Sequence, residues 1–323
     1  MNRRDEIKDM LCSSKFFCIC RALLFLLLFC VIFALLQALL VPKFRDSTNN
    51  STAVVEGFLA LPKDSLDILF LGGSQMAYAV DAELLTRKHG LSSYDFGANG
   101  QMLPTTLYYL EQAFMHQHPR FVMLEAGQLF DKNAPDEAYY AWNMSPMPLS
   151  WSKWKHLMQL SGGNARVSFM HLFPLLQYHS RWKELNAEDF RLAYCKRENS
   201  SRGHLASPFC QRVSPCAGRQ HSVLSQDTIE CLEQMLKLCN ANGARMLIFK
   251  TPTACCSPEL LSSDAIFDRL QLSYWDFNEN VQDIGLDYGK DFVDELHLNA
   301  NGAAVFSSFL AGKMKQLLKE TPL

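Results

Sequence analysis

Two short stretches, far apart in the chain, carry side chains that could act on one bond. The first is Leu71-Gly72-Gly73-Ser74, which closes the apolar run Leu66–Leu71 and precedes a helix-like pattern. A short apolar run bounded by glycine reads as a buried strand. Ser74 then stands at the carboxyl end of a strand, where open α/β sheets place their ligands. Its hydroxyl is exposed there and its N–H lies near a helix start, as a nucleophile beside a forming oxyanion requires. Alone, the stretch also fits a plain β–α turn with Ser74 as helix N-cap. The second stretch is Asp294-Glu295-Leu296-His297, in a polar loop ahead of the last helical pattern. One loop can hold a carboxylate against one imidazole nitrogen and leave the other facing a hydroxyl. Alone, it also fits a surface histidine beside a turn aspartate. In a doubly wound sheet both stretches fall on the same edge.

The elements between them supply that sheet. Helical spacing covers about Ala77 to His89, ended by Gly90, and about Leu103 to His118, ended by Pro119. Strand-like runs cover Ser92–Phe96 and Arg120–Ala126. The rhythm resumes with a helix over Thr228–Asn240, a strand over Ala244–Lys250, a helix over Pro258–Leu272 and a last helix from about Ala303 to Leu318. Strand–helix alternation with short loops predicts a parallel sheet covered on both faces. Residues 131–225 lose the rhythm and hold Trp142, Trp151, Trp154 and Trp182. They read as an insertion, or cap, whose tryptophans chiefly fill its own core.

The chain has 323 residues, 48% hydrophobic, with a formal net charge of −2. That suits one large domain with additions and gives no reason to expect nucleic acid as a partner. Residues 22–41 carry no charge and only one amide, Gln37. Such a segment makes a helix of about 30 Å, the thickness of a hydrocarbon core. A cleaved signal would be shorter and end in a small-x-small site, whereas Pro42-Lys43-Phe44-Arg45 follows. The reading is therefore a tail over 1–21, a transmembrane anchor over 22–41, a polar linker over 42–60 and a domain over 61–323. Arg3, Arg4, Lys8, Lys15 and Arg21 favour a cytoplasmic amino terminus; Lys43 and Arg45 count against it. Of the cysteines outside the anchor, Cys210 and Cys216 share a Ser/Pro/Gly-rich loop that could close a small disulfide. Cys231, Cys239, Cys255 and Cys256 read as apolar fillers. No paired C-x-x-C or H-x-x-x-H points to zinc.

Together the two stretches resemble blocks of the SGNH (GDSL-type) hydrolase superfamily. The nearest likeness is to its membrane-anchored bacterial envelope branch, which includes D-alanyl-transfer (DltD-like) proteins and polysaccharide O-acetyltransferase relatives. The resemblance covers roughly 66–130 and 225–318. It puts Ser74 in the nucleophile's place, with Gly73 where the family carries aspartate. It makes Gly100, in Gly97-Ala98-Asn99-Gly100-Gln101, the oxyanion glycine. Asp294, His297, Leu298, Asn299 and Gly302 match the last block in full. The third block reads Glu125-Ala126-Gly127-Gln128, without the family's oxyanion asparagine, leaving Gln128 or Asn99 as substitute donors. The resemblance implies a three-layer α/β/α flavodoxin-like fold, no metal and no cofactor. It implies a serine esterase or O-acyltransferase acting on an acylated envelope glycan or small acyl ester, beside a membrane-bound acyl-transfer partner. The altered first and third blocks also fit a catalytically silent, glycan-binding or scaffold module.

Overall fold

Short strands that are apolar at successive positions present apolar side chains to both faces of a sheet, and helices cover both. A computed structural model describes residues 3–43, 51–130, 137–190, 199–215, 220–221, 223–255, 258–259, 265–279 and 281–320. Strands β1 (Ile68–Leu71), β2 (Ser93–Asp95) and β3 (Phe121–Glu125) are followed by a two-residue strand, β4 (Gln220–His221). Then come β5 (Arg245–Lys250), β6 (Pro258–Glu259) and β7 (Ser273–Asp276). β4 and β6 pair with each other; the other five form one parallel sheet in the order β2-β1-β3-β5-β7. Within that sheet the order is the flavodoxin-like one, which reverses direction beside β1 and β3.

Ile68, Phe70, Phe121, Met123, Leu247 and Phe249 face one layer of helices: α3 (Ser74–Ala79), α4 (Ala82–His89), the short α12 (Val281–Ile284) and α13 (Ala300–Glu320). Leu69, Leu71, Val122, Leu124, Met246 and Ile248 face the other: α2 (Ser51–Ala60), α5 (Leu103–Phe114) and α10 (Gln226–Ala241). The fold is thus a three-layer α/β/α sandwich, with each fully buried apolar side chain worth about 1.5–3 kcal/mol.

Several boundaries differ from the sequence reading. The helix expected over 77–89 is two helices: Asp81 turns the chain and caps α4 by accepting from the Leu84 N–H at 2.9 Å. In place of one helix over 258–272 stand β6 and the shorter α11 (Ala265–Leu270). Half-buried Ser273–Asp276 forms the edge strand β7, which its mixed composition had hidden. The tail and anchor are one helix, α1 (Arg3–Leu40). It is exposed from Phe16 to Leu36, Phe33 being half-buried, but Gln37, Ala38, Leu40 and Val41 are buried in protein.

The linker over 42–60 is corrected most. Residues 44–50 lie outside the described residues, but Ser51–Ala60 is a core helix with Val54, Val55 and Phe58 buried. Phe58 stacks on Phe96 at 4.2 Å and the Tyr94 hydroxyl donates to the Val54 carbonyl at 2.7 Å. Ser51 and Thr52, polar residues of the expected linker, bond inward. The Thr52 hydroxyl donates to the Pro42 carbonyl at 2.6 Å, and the Ser51 hydroxyl to the Asn143 side-chain oxygen at 2.7 Å. The Asn143 amide then donates to the Asn99 carbonyl at 3.2 Å. A buried polar chain thus runs from the end of the anchor helix to the loop before Gly100.

The insertion holds α6 (Glu137–Met144), α7 (Trp151–Leu160), α8 (Ala165–Leu172) and α9 (Pro174–Tyr178). Two 3-10 turns follow, His179–Lys183 and Ala187–Phe190. It packs beside α5, α2 and the end of α1. Its tryptophans do not make its core: Trp151 and Trp182 are exposed, and Trp142 and Trp154 are half-buried. Buried there instead are Met144, Met147, Leu157 and Tyr178. The Cys210 thiol donates to the Lys290 carbonyl; Cys216, the partner expected for the small disulfide, lies outside the described residues. Cys231 and Cys239 are buried in the core, where burial pushes both thiols up to about 12.

Candidate active site

The turn after β1 is built for close approach. A Cβ on Gly72 would lie 2.5 Å from the Met76 Cβ and 2.9 Å from the Glu125 Cβ, so only glycine lets α3 fold back this tightly. Gly73 is the N-cap, and Ser74 is the first residue of α3. The Ser74 hydroxyl therefore points off the sheet edge, and its N–H belongs to the first helical turn, where no intrahelical acceptor exists.

The second stretch is shaped by a narrow reversal. Phe292 and Leu298 form an antiparallel bridge, and the Val293 N–H donates to the His297 carbonyl at 2.9 Å. Asn299 caps α13, its side-chain oxygen accepting from the Gly302 N–H at 3.0 Å. Gly302 carries no Cβ because one there would lie 2.2 Å from the Asp291 carbonyl oxygen. The reversal thus projects Asp294 and His297 over the Ser74 turn.

His297 Nε2 lies 2.8 Å from Ser74 Oγ, and His297 Nδ1 lies 2.9 Å from each carboxylate oxygen of Asp294. Asp294 Oδ1 also accepts from the N–H groups of Leu296, at 2.8 Å, and His297, at 3.0 Å. Burial works to raise the Asp294 pKa. The His297 hydrogen bond and the two N–H donors outweigh it and hold the carboxyl below its ordinary value. An ionised Asp294 fixes the tautomer with the proton on Nδ1, leaving Nε2 to accept from Ser74. The Tyr78 ring lies 4.9 Å from the imidazole, one helical turn beyond Ser74.

Ser74 opens onto a cavity of about 220 Å³ lined by Gly73, Gln75, Gly100, Gln101, Glu125, Gly127, Gln128, Phe130, Lys250 and Leu296. Gly100 has φ +62, and a Cβ there would lie 2.2 Å from the Tyr139 ring, so this loop too requires glycine. Gln128 is held in place: its amide donates to the Gln101 carbonyl and its oxygen accepts from the Thr106 hydroxyl at 2.9 Å. Asn99 is buried behind the loop and is not among the residues lining the cavity. The structure thus brings Ser74, His297, Asp294, Gly100 and Gln128 to one place and sets Asn99 aside. Apart from Tyr139 against Gly100, the described residues of the insertion contribute nothing to this lining.

No family model matches the chain, and no curated protein matches it in sequence. Seventeen chains among solved structures match. One of them, a "putative acylhydrolase" from Bacteroides fragilis NCTC 9343, is 12% identical. That match covers 86% of this chain and 99% of the other, with a TM-score of 0.36. A likeness that loose carries no argument, and the chemistry rests on the geometry above.

Two cavity residues were not picked out from the sequence as site residues. Glu125 and Lys250 end β3 and β5, are almost fully buried and line the floor. Burial raises the Glu125 pKa to about 7, against the Gly127 N–H, which donates at 2.8 Å, and the charge of Lys250. The signal was available: both are ionisable residues on the final position of an apolar strand, on the edge where ligands bind.

Proposed function

We propose that this chain is a serine-dependent acyl ester hydrolase or O-acyltransferase of the SGNH type. Ser74 is the nucleophile, His297 the general base and acid, and Asp294 the orienting carboxylate. The observation that carries this reading is the relay Asp294–His297–Ser74, with 2.9 Å and 2.8 Å links, assembled from opposite ends of the domain.

Ser74 Oγ attacks the ester carbonyl as its proton passes to His297 Nε2, and the N–H groups of Ser74 and Gly100 receive the oxyanion. The tetrahedral adduct collapses, the C–O bond to the alcohol breaks, and His297 returns the proton to the departing oxygen. Water, or the hydroxyl of a sugar or polyol, then attacks the acyl-serine as His297 takes its proton; the bond from the acyl carbon to Ser74 Oγ breaks and His297 returns the proton to Ser74. Gln128, already committed to Gln101 and Thr106, offers at most one further N–H to the oxyanion. One lost oxyanion donor costs about 10²–10³ in rate, which fits a slow, selective enzyme better than a general esterase.

The exposed Phe16–Leu36 segment supports a single membrane pass. With the amino terminus inside, the domain would meet an acylated envelope glycan or polymer and a membrane-bound acyl-transfer partner. A fluorophosphonate probe of activated serines tests the reading on the full chain in detergent. Labelling of the wild type that vanishes in Ser74→Ala and His297→Ala supports it. A folded wild type that takes no label, and turns over no small acyl ester, favours the silent glycan-binding or scaffold module suggested by the altered blocks.

A further inference from the structure

Helix α8 is inside out. Ser168 and His171 face the protein and are buried, whereas Val167, Phe169 and Met170 face outward with Arg166. A surface helix in water shows the opposite arrangement, because burial of apolar area drives the packing. Leu176, Trp182 and Phe190, on the elements that follow, are also exposed. An apolar surface of this kind marks an interaction site.

The anchor shows what covers it. Phe33 of α1 packs edge-on against Phe173 at 5.4 Å, and Phe173 against Phe169 at 4.8 Å. The Leu175 N–H donates to the Gln37 side-chain oxygen at 2.5 Å, and the Arg181 guanidinium to the Leu40 carbonyl at 2.6 Å. Arg181 is itself held by buried Asp189 at 2.8 Å. These contacts fix α8 and α9 to the last exposed turn of α1 and to the buried turn above it. From Phe16 to Leu36 the exposed helix is about 30 Å long, a full hydrocarbon thickness. Phe33 lies within that length, about 6 Å short of Gln37, so Phe169 and Phe173 are level with the membrane boundary. The charged neighbours Arg166 and Lys183, the latter with its ammonium 5.4 Å from the Trp182 ring centre, suit anionic headgroups.

We propose that α8, α9 and the two 3-10 turns after them form a membrane-interface platform. Its outward apolar side chains lie in the headgroup and upper acyl region of the bilayer that α1 crosses, as interfacial helices do. The platform holds the domain in one orientation instead of leaving it to swing on a flexible stalk. The inference rests on α1 crossing a bilayer and goes beyond that reading.

The test uses the full chain in nanodiscs of phosphatidylcholine and phosphatidylglycerol. The photoreactive residue p-benzoylphenylalanine replaces, one at a time, Phe25 of the anchor, Phe169, Trp182 and Met115. Met115 is exposed just after α5, at the opposite edge of the sheet. Lipid adducts at Phe25, Phe169 and Trp182, with none at Met115, are expected. Lipid adducts at Phe25 with none at Phe169 and Trp182, or crosslinks from those two to a second copy, overturn the platform while leaving the anchor intact. A Phe25 position that takes no lipid overturns the anchor reading itself, and the platform with it.

Discussion

The imidazole of His297 depends on a carboxylate that is itself tied to two backbone N–H groups of the same loop. Asp294→Asn keeps those contacts but leaves Nδ1 facing an amide, which can select the wrong tautomer. Acyl-ester turnover is expected to fall by about 10⁴-fold with little change in thermal stability. His297→Ala should cost more, on the order of 10⁶-fold, and also lose fluorophosphonate labelling. A second residue-scale prediction concerns Lys153, fully buried in α7 with its ammonium on the Met147 carbonyl at 2.9 Å. Burial lowers its pKa from 10.5 to about 7. Between those values the folded chain holds fewer protons than the unfolded one, so stability rises with pH across the window and is lost as pH falls toward 7. Lys153→Met should flatten that rise and stabilise the fold by about 1–3 kcal/mol near pH 7, as read from thermal unfolding at several pH values. At this scale Ser74, Asp294 and His297 were legible because each stands beside a sequence landmark, a glycine pair or a helix start. Glu125 and Lys250 carry a weaker signal, an ionisable residue at the end of an apolar strand on the ligand edge, and were passed over because such a residue also reads as ordinary strand punctuation. Asn99 looked like a donor because sequence cannot show that its loop turns the side chain behind Gly100.

Among the elements, the glycine loops set the tolerance of the site. Gly100→Ala forces a β-carbon into the Tyr139 ring and into a backbone region that costs about 1–2 kcal/mol for other residues. Turnover should fall by about 10²–10³-fold as the oxyanion N–H moves. Adding Tyr139→Ala should recover part of the loss by opening space, while the backbone strain persists; kcat for the single and double variants measures the split. The strands β1, β3 and β5 could be read from apolar runs, and α10 and α13 from helical spacing. The half-buried edge strand β7 could not, because Ser273, Tyr274, Trp275 and Asp276 follow neither strand pattern. The break between α3 and α4 was hidden for a similar reason: Asp81 is a cap within a stretch whose spacing continues through it. Helix α2 was hidden by its own hydroxyls, which spell a linker in sequence and a hydrogen-bonded helix start in the fold.

For the molecule as a whole, the exposed part of α1 ends at Leu36, before its apolar residues do. Its last turn is domain core, with Leu40 accepting from buried Arg181 and the Lys43 ammonium donating to the Ala38 carbonyl at 2.7 Å. A chain cut to begin at residue 45, just beyond the apolar segment 22–41, strips the acceptor from Arg181 and uncovers Tyr178 and Ala141. It should unfold at lower temperature, or aggregate, relative to a chain that begins near Leu36. Size-exclusion chromatography and thermal unfolding of the two would show this. The polar chain from Pro42 through Thr52, Ser51 and Asn143 to Asn99 ties the end of α1 to the loop beside the cavity. On the reading proposed above, with Ser74 as nucleophile and α1 crossing a bilayer, a serine joined this stiffly to its stalk would search in two dimensions, at a fixed height above one leaflet. For a membrane-borne acyl donor, the governing variable becomes its mole fraction in the surface and not its concentration in the suspension. Diluting that donor with inert lipid should slow the enzyme even when the amount of donor per litre is unchanged, whereas a water-soluble ester would be turned over at the same rate throughout.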